Sequence, residues 1–119
     1  MGLVARHLEA AGIPTVIAGS ALDIVEHCGV PRFSFTDFPL GNPIGKPGDS
    51  AMQLANTQLA LSMLHNATAP RTSAQTPFVW ADNDDWRSVY SRVDDSNREA
   101  LARKGEARRK SRAKLPKRD

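Results

Sequence analysis

The chain has 119 residues, a formal net charge of +3 and a single cysteine. This length allows one folded domain at most, and one cysteine excludes an internal disulfide. No stretch approaches the roughly 20 apolar residues that span a bilayer, and the N-terminus lacks the basic and apolar regions of a signal peptide. We therefore expect a cytoplasmic protein that does not enter a membrane.

Charge divides the chain into an acidic body and a basic tail. Residues 96–119 hold ten Lys and Arg residues against three acidic ones, whereas residues 1–95 hold six against ten. A body of this size has a limited core, and no disulfide supports it. The composition predicts a small folded body followed by a solvated or partner-bound arm.

The chain opens with the pattern of a short helix and a strand. Apolar residues at helical spacing predict a helix from Leu3 to Ala11, and Gly12 follows where a left-handed C-terminal residue is expected. Residues 15–18 are rich in β-branched and apolar side chains without polar alternation. That pattern is typical of a strand buried on both faces in a parallel sheet.

A second helix and a second strand follow. Ser20 is the predicted N-cap of the helix, which Gly29 and Pro31 end. Residues 32–38 then alternate, with Phe33 and its aromatic neighbour at 35 on one face and hydroxyl side chains on the other. This alternation predicts a strand with one exposed or partner-facing side.

An irregular loop leads into the longest predicted helix. Residues 39–48 contain three Pro and three Gly, which is typical of an ordered turn-rich loop. Asp49 or Ser50 is the expected cap, with Gln53 completing an S-x-x-Q box, and the helix runs over 51–64. Its apolar residues occupy more than one face, so we expect it to need burial on several sides.

The C-terminal half is polar and lacks a comparable core pattern. We divide the chain into an α/β fragment at 1–66, a linker at 67–77, an aromatic and acidic docking segment at 78–95 and a basic tail at 96–119. The order helix, strand, helix, strand, loop, helix predicts an α/β fold. Specifically, we expect a partial doubly wound, Rossmann-like parallel-sheet fragment that a partner chain completes.

Several short motifs in 1–64 occur in the order found in a known family. They are Gly12-Ile13-Pro14-x-Val16, the hydroxyl residue Ser20, Pro31-Arg32 and Pro39-Leu40-Gly41-Asn42-Pro43. With them the chain resembles the C-terminal portion of the B-subunit (selenoprotein B) family of glycine, sarcosine, betaine and D-proline reductases. The resemblance extends over about half of the chain, from Leu3 to Leu64.

The resemblance implies a role in reductive chemistry that this chain does not carry out alone. In that family a selenocysteine or cysteine motif precedes the first helix and attacks the substrate, and here Met1 stands where that motif would end. Gly19 also stands where some members have a cysteine. The resemblance thus implies a hetero-oligomeric, reductase-like oxidoreductase complex, in which a larger partner subunit carries the redox Cys or Sec motif. A small-molecule substrate is implied with it.

Four residues are candidate substrate-binding groups: Ser20, Asp37, Asn42 and Lys46. Asn42 and Lys46, with the amides ahead of the Ser50 helix, are suited to hold a carboxylate or another anion. Asp37 follows the second strand, where a carboxylate acts as acid, base or ammonium binder. Each also has a plain structural interpretation, because Ser20 is a cap, Asp37 and Asn42 favour turns, and the loop needs only to reverse the chain.

Other motifs carry less chemistry. Cys28 belongs to the apolar stripe of its helix and is interpreted as a core thiol, and the catalytic residues are not identified. The adjacent His27 and Cys28 point about 100° apart, so no metal site is expected. The Gly41-x-x-x-Gly45-Lys46-Pro47 string lacks the spacing and the hydroxyl residue of a phosphate-binding loop, and no cofactor is expected.

The basic tail leaves an alternative function open. Clustered Lys and Arg gain affinity for nucleic acid by counterion release, but the tail has no aromatic residues that stack on bases. Nucleic-acid binding is therefore less favoured than contact with an acidic partner. The two hypotheses are an accessory subunit of a reductase-like complex and a non-catalytic assembly protein that contacts nucleic acid through its tail.

Overall fold

A computed structural model describes residues 1–90 and 92–113, and the chain divides into two units, 1–87 and 88–119. The predicted tail residues 114–119 lie outside the described part. The elements are α1 (Gly2–Ala10), β1 (Ile17–Gly19), α2 (Leu22–His27), β2 (Arg32–Phe35), α3 (Ser50–Asn66), β3 (Thr72–Gln75), α4 (Asp85–Val89) and α5 (Arg98–Ala113).

The first unit is built on a parallel three-stranded sheet with the order β1-β2-β3. Ile17 of β1 lies opposite Phe33 of β2, and Phe33 lies opposite Ser73 of β3. Helices α2 and α3 connect the strands and both pack on β2. The predicted α/β class with a parallel sheet is confirmed, and the arrangement is compatible with part of a Rossmann-like fold.

The strand β1 is less buried than its sequence predicts. Val16, Ile17 and Ala18 are only half-buried, although their apolar character is typical of a strand covered on both faces. The reason is the position of β1 at the outer edge of the sheet.

The strand β2 is the centre of the core, and the prediction of an exposed face is wrong. Phe33 has no exposed surface, and Ser34 and Thr36 are also buried. The Phe33 ring and a methyl group of Val25 in α2 both lie close to Gly19, whereas Ser34 lines a small cavity with Met63 of α3. Because successive side chains of a strand point to opposite faces, helices cover both faces of β2.

The strand β3 corrects the predicted linker at 67–77. Thr72–Gln75 pairs in parallel with β2, and the Thr76 amide continues the ladder by donating to the Phe35 carbonyl at 2.8 Å. Residues 73–75 are exposed, so the strand forms without an apolar pattern in its side chains. Backbone pairing therefore forms a strand that its side chains do not reveal.

The helix α1 ends as predicted and anchors both neighbouring strands. Gly12 has a φ of 83°, its amide donates to the Glu9 carbonyl, and the Ile13 amide donates to the Leu8 carbonyl, which forms a Schellman motif. The Glu9 carboxylate accepts from the Thr15 amide at 2.7 Å and from Arg32 at 2.7 Å. These contacts hold the approaches to β1 and β2 against the helix.

The caps of α2 and α3 differ from those predicted. Helix α2 has Ala21 as N-cap with no side-chain hydrogen bond, so Ser20 does not cap it. Asp49 caps α3 by accepting from the Met52 amide at 2.9 Å. Gln53 forms no capping box, because its Nε2 donates to the Lys46 carbonyl at 2.7 Å.

The long helix α3 keeps a large apolar surface uncovered, as its sequence predicts. Asn56, Ala60 and Met63 are buried. In contrast, Leu54 is 60% exposed and Leu61 is 53% exposed. The body of this chain thus covers only part of the apolar surface of α3.

The second unit contains the end of α4 and the basic helix α5. Asp94 precedes α5 and accepts from the Ser96 amide at 3.0 Å, and hydrogen bonds from Ser96 lower the pKa of the Asp94 carboxyl. Within its described residues, α5 has none that is buried, which fits the predicted arm. The division after Arg87 falls inside the predicted docking segment at 78–95.

Candidate functional site

The candidate site lies at the carboxyl edge of the sheet. The strands β1, β2 and β3 end at Gly19, Phe35 and Gln75, and they are parallel. The residues that follow each strand therefore emerge at the same edge, which is where open α/β sheets bind ligands.

Thr36 fastens the proline- and glycine-rich loop to this edge. Its amide donates to the Gly19 carbonyl at 2.9 Å, and its hydroxyl donates to the Pro43 carbonyl at 2.8 Å. Thr36 is buried, so these bonds are shielded from water. Thr36 is not among the predicted site residues, because a threonine at the end of an alternating strand gives no sign of its loop partner.

Asn56 holds the same loop from the side of α3. It is buried, and its Nδ2 donates to the Ile44 carbonyl at 2.7 Å. Its Oδ1 has no hydrogen-bond partner among residues 1–90 and 92–113. Because α3 carries several other polar side chains, the sequence gives no signal that singles out Asn56 for this contact.

Asp37 lies at this edge, and its carboxylate is already paired with a cation. Its carboxylate forms an ion pair with the Arg87 guanidinium, and Arg87 also contacts Asp84 at 3.1 Å. The hydrogen bonds that Arg87 donates, first to Asp37 and then to Asp84, raise the pKa of Arg87 above its ordinary value. Asp37 can therefore bind an ammonium group or act as a base only if Arg87 is displaced.

Lys46 reaches the aromatic side of the edge. Its Nζ lies 6.0 Å from the centroid of the Trp80 ring, a distance at which the ring face attracts a cation. Trp80 in turn packs edge-on against Phe38 with the ring centroids 5.4 Å apart. Part of the predicted docking segment is thus an internal aromatic contact of the first unit.

The other two predicted residues have local roles. Asn42 Nδ2 donates to the Pro39 carbonyl at 3.3 Å, and the Asn42 amide donates to the same oxygen at 3.1 Å. This is the turn-forming behaviour expected of asparagine. Ser20 directly follows β1 and is half-buried.

A small cleft joins some of these groups. It has a volume of about 90 Å³ and is lined by Asp37, Gln75, Trp80, Trp86 and Arg87, together with neighbouring residues of 78–84. Asp37 lines it, and Lys46 contacts the same tryptophan, whereas Ser20 and Asn42 are not part of its wall. Ligand pockets usually measure about 300–1,000 Å³, so this cleft alone is too small for most substrates.

The single thiol lies away from this cleft. Cys28 follows the last residue of α2, which returns the chain from the carboxyl end of β1 to the amino end of β2. A side chain at Gly2 would meet Cys28 Cβ at 2.7 Å, so the first turn of α1 packs directly on it. Cys28 is half-buried at the edge opposite to Asp37 and Lys46.

In the described ranges no group of three or more His, Cys, Asp or Glu side chains is arranged to hold a metal ion. None of the helices within those ranges is both long and apolar enough to cross a membrane. Comparisons with protein-family models, with curated proteins and with solved structures found no match to this chain.

Proposed function

We propose that this chain is an accessory subunit of a reductase-like complex, which adds a parallel sheet and one wall of the substrate pocket to a larger subunit carrying the redox Cys or Sec. The observation that carries the proposal is the open edge of β1. An apolar strand of this kind is normally covered by a neighbouring strand, and here it is the outermost strand described.

Exposed apolar side chains on the helices support the same interpretation. Leu3 of α1, Ile24 of α2 and Leu54 of α3 are 70%, 64% and 60% exposed. Single exposed apolar side chains are ordinary, but large ones on three successive helices add to an apolar strand edge. A partner that covers these helices would remove this apolar surface from water.

The candidate site supports a shared rather than a complete pocket. The cleft at the carboxyl edge is small, and its carboxylate is paired with Arg87. The only thiol of the chain lies near the opposite edge. In the proposed complex the partner therefore supplies the nucleophile and the missing wall, while Lys46 and Trp80 form this chain's side of the pocket.

The backbone geometry of β1 determines which substitution would block pairing at its open edge. The Gly19 carbonyl accepts from the amide of Thr36, which directly follows β2, so the Gly19 peptide groups face the sheet interior. Backbone groups of alternate residues point to opposite sides of a strand, so the N–H and C=O of Ala18 face the open edge. Proline at an edge position removes only the outward donor, which makes Ala18→Pro selective for pairing with an added strand.

The experiment is affinity isolation of the tagged full chain from its own cells, with the bound proteins identified by mass spectrometry. We expect a stoichiometric larger subunit with a Cys or Sec motif, lost in Ala18→Pro and retained in Ser73→Pro. Ser73 is the matched control, because the Thr72 and Thr76 amides donate to the Pro31 and Phe35 carbonyls and Ser73 therefore faces the open side of β3. Retention of the partner by Ala18→Pro with its own fold intact would refute the proposal.

The pocket is tested in the assembled complex. Lys46→Ala should raise the KM for the substrate or lower kcat without loss of the partner, because its ammonium lies beside Trp80 and forms no ion pair with any of the residues 1–90 and 92–113. Asn42→Gly should leave the kinetics unchanged, since Asn42 only forms a turn. Unchanged kinetics in Lys46→Ala would show that this chain does not contribute to the substrate pocket.

The basic helix α5 favours one further candidate function, an assembly protein that contacts nucleic acid. Its described residues present seven Lys and Arg side chains against two glutamates, all without burial. This candidate predicts RNA or DNA binding that weakens steeply with added salt and disappears when residues 96–119 are removed. Unchanged binding of nucleic acid by that truncated chain would reject it.

A further inference from the structure

A sizeable cavity lies at the amino edge of the sheet, opposite to the candidate site. It has a volume of about 500 Å³ and is walled by Arg6 of α1, Arg32 at the start of β2 and Arg71 just before β3. Glu9 and the turn at 67–70 complete most of the wall. This volume falls in the range of small-molecule pockets.

The charges in this cavity do not cancel. Glu9 is the only acidic residue in its wall, and it is bound by Arg32 Nη1 at 2.7 Å and by the amide and hydroxyl of Thr15. The hydrogen bond from Arg32 is the main cause that lowers the pKa of Glu9, so the carboxylate stays ionised. Arg6 and Arg71 are therefore left as two uncompensated cations.

Neither of these two guanidinium groups has an acidic partner in the described structure. Arg6 makes only a long contact of 3.4 Å to the Cys28 carbonyl. Arg71 forms no ion pair within residues 1–90 and 92–113, although Glu26 lines a smaller cavity next to it. The Nε of Arg32 is buried and also lacks a hydrogen-bond partner there.

Arg71 is held in place at a conformational cost. Its φ of 58° makes it the only non-glycine residue at positive φ in the described chain. Its guanidinium lies over Gly29, where a Cβ atom would approach Arg71 Nη2 to 2.7 Å. Such strained positions cluster at ligand clamps, where the surrounding structure fixes a side chain for binding.

We infer that the cavity walled by Arg6, Arg32 and Arg71 is a binding site for a dianionic phosphate group, either free or as the monoester of a small molecule. Guanidinium groups present a planar fork of donors that matches phosphate oxygens. Two uncompensated positive charges balance the charge of a phosphate dianion, whereas a carboxylate would balance only one. The inference is independent of the proposed subunit function, because it involves the opposite edge of the sheet.

The test is isothermal titration of the full chain at constant ionic strength with inorganic phosphate, phenyl phosphate and acetate. We expect saturable binding of phosphate, with acetate weaker by about tenfold or more, as expected from one lost charge-assisted contact. Tighter binding of phenyl phosphate identifies a monoester as the ligand, and equal or weaker binding identifies free phosphate. Equal affinity for acetate, or no saturable binding of phosphate, would overturn the inference.

The key variant is Arg71→Gly, because it separates binding from folding. Glycine adopts positive φ without strain, so the variant should unfold at a temperature no lower than the wild type. It should nevertheless bind phosphate roughly 10- to 100-fold more weakly, the factor expected for lost hydrogen bonds from a charged donor. Arg6→Gln should also weaken binding.

The charge control is Arg103→Gln in α5, which removes one positive charge from the second unit. It should leave the phosphate affinity within about twofold of the wild type, since Arg103 is exposed, does not line the cavity, and salt screens exposed charges. Loss of the same size in Arg103→Gln would show non-specific attraction and overturn the inference. Loss of the partner subunit in Arg71→Gly would also overturn it, because the cavity would then belong to the subunit interface.

Discussion

The outer strands β1 and β3 flank the same central strand but meet their surroundings differently. β1 is apolar and half-buried at its open edge, whereas β3 has the polar sequence Thr-Ser-Ala-Gln and exposes residues 73–75. A polar, short outer strand is suited to water, and an apolar one is suited to a further neighbour. The comparison agrees with the proposal that a partner chain continues this sheet past β1 and not past β3.

The largest expected effect concerns the central strand on which both outer strands depend. Phe33→Ala should lower the free energy of unfolding by about 3–5 kcal/mol, because a fully buried aromatic ring is replaced by a cavity. Phe35→Ala should cost less, since Phe35 is only half-buried. Urea unfolding of the full chain followed by circular dichroism measures both. A urea unfolding midpoint of Phe33→Ala equal to that of the wild type would show that Phe33 and β2 do not form the centre of the core.

A substitution with a smaller effect should increase hydrogen exchange in β3 more than in β1. Asn56→Ala removes the hydrogen bond that holds the Ile44 carbonyl, and an unpaired buried carbonyl costs about 1–3 kcal/mol. The affected loop belongs to the connection between β2 and β3. The hydrogen-exchange rates of the hydrogen-bonded amides in 72–76 should therefore rise more, relative to wild type, than those in 17–19. Thr57→Ala on the exposed side of α3 is the control. Equal acceleration in both strands would contradict separate anchoring.

The anchor of β1 should respond to pH. The pKa of Glu9 is lowered, first by Arg32 and then by Thr15, so its contribution to stability is complete above the ordinary glutamate pKa of about 4.3. That contribution is lost as the pH falls through the lowered pKa of the folded state. Glu9→Gln should remove this part of the acid destabilisation, as measured by thermal unfolding between pH 3 and pH 7.

Glu26→Gln in α2 is the matched control for that titration. It removes an exposed glutamate without changing the contacts of Thr15 or Arg32. If it flattened the pH profile as much as Glu9→Gln, the Glu9 contacts would not be the anchor.

The smallest effect is expected at the cleft beside β3. Asp37→Asn breaks the ion pair with Arg87, which is partly exposed, so stability should change little and the change should vanish at high salt. Thermal unfolding at low and high salt measures this. A large, salt-independent loss would mean that the aromatic cleft is an important part of the core.

The difference between β1 and β3 also explains what the sequence could predict. The run 15–18 and the alternation near Phe33 identified two strands, because burial imposes an apolar pattern on them. β3 was missed and its segment was assigned to a linker, since an exposed outer strand needs only backbone pairing. The predicted exposed face of β2 was wrong, because Ser34 and Thr36 are polar residues that helix α3 and the loop bury.

The candidate site was predicted only in part for a related reason. The position of Asp37 at the edge followed from the order of the elements, but its partner Arg87 is 50 residues away and no local pattern reveals the pair. Thr36 and Asn56 bind backbone carbonyls of the loop, which leave no signature in side-chain spacing. The arginines at the amino edge come from three separate elements and were likewise invisible in sequence.

The most direct test of strand addition at β1 is the hydrogen-exchange rate of the Ala18 amide in the isolated full chain and in the complex isolated with it. The N–H of Ala18 faces away from β2, so it should exchange rapidly in the isolated chain and become strongly protected in the complex. The Ser73 amide on the outer side of β3 should exchange at the same rate in both. An Ala18 amide that exchanges equally fast in both forms would contradict the addition of a partner strand at this edge.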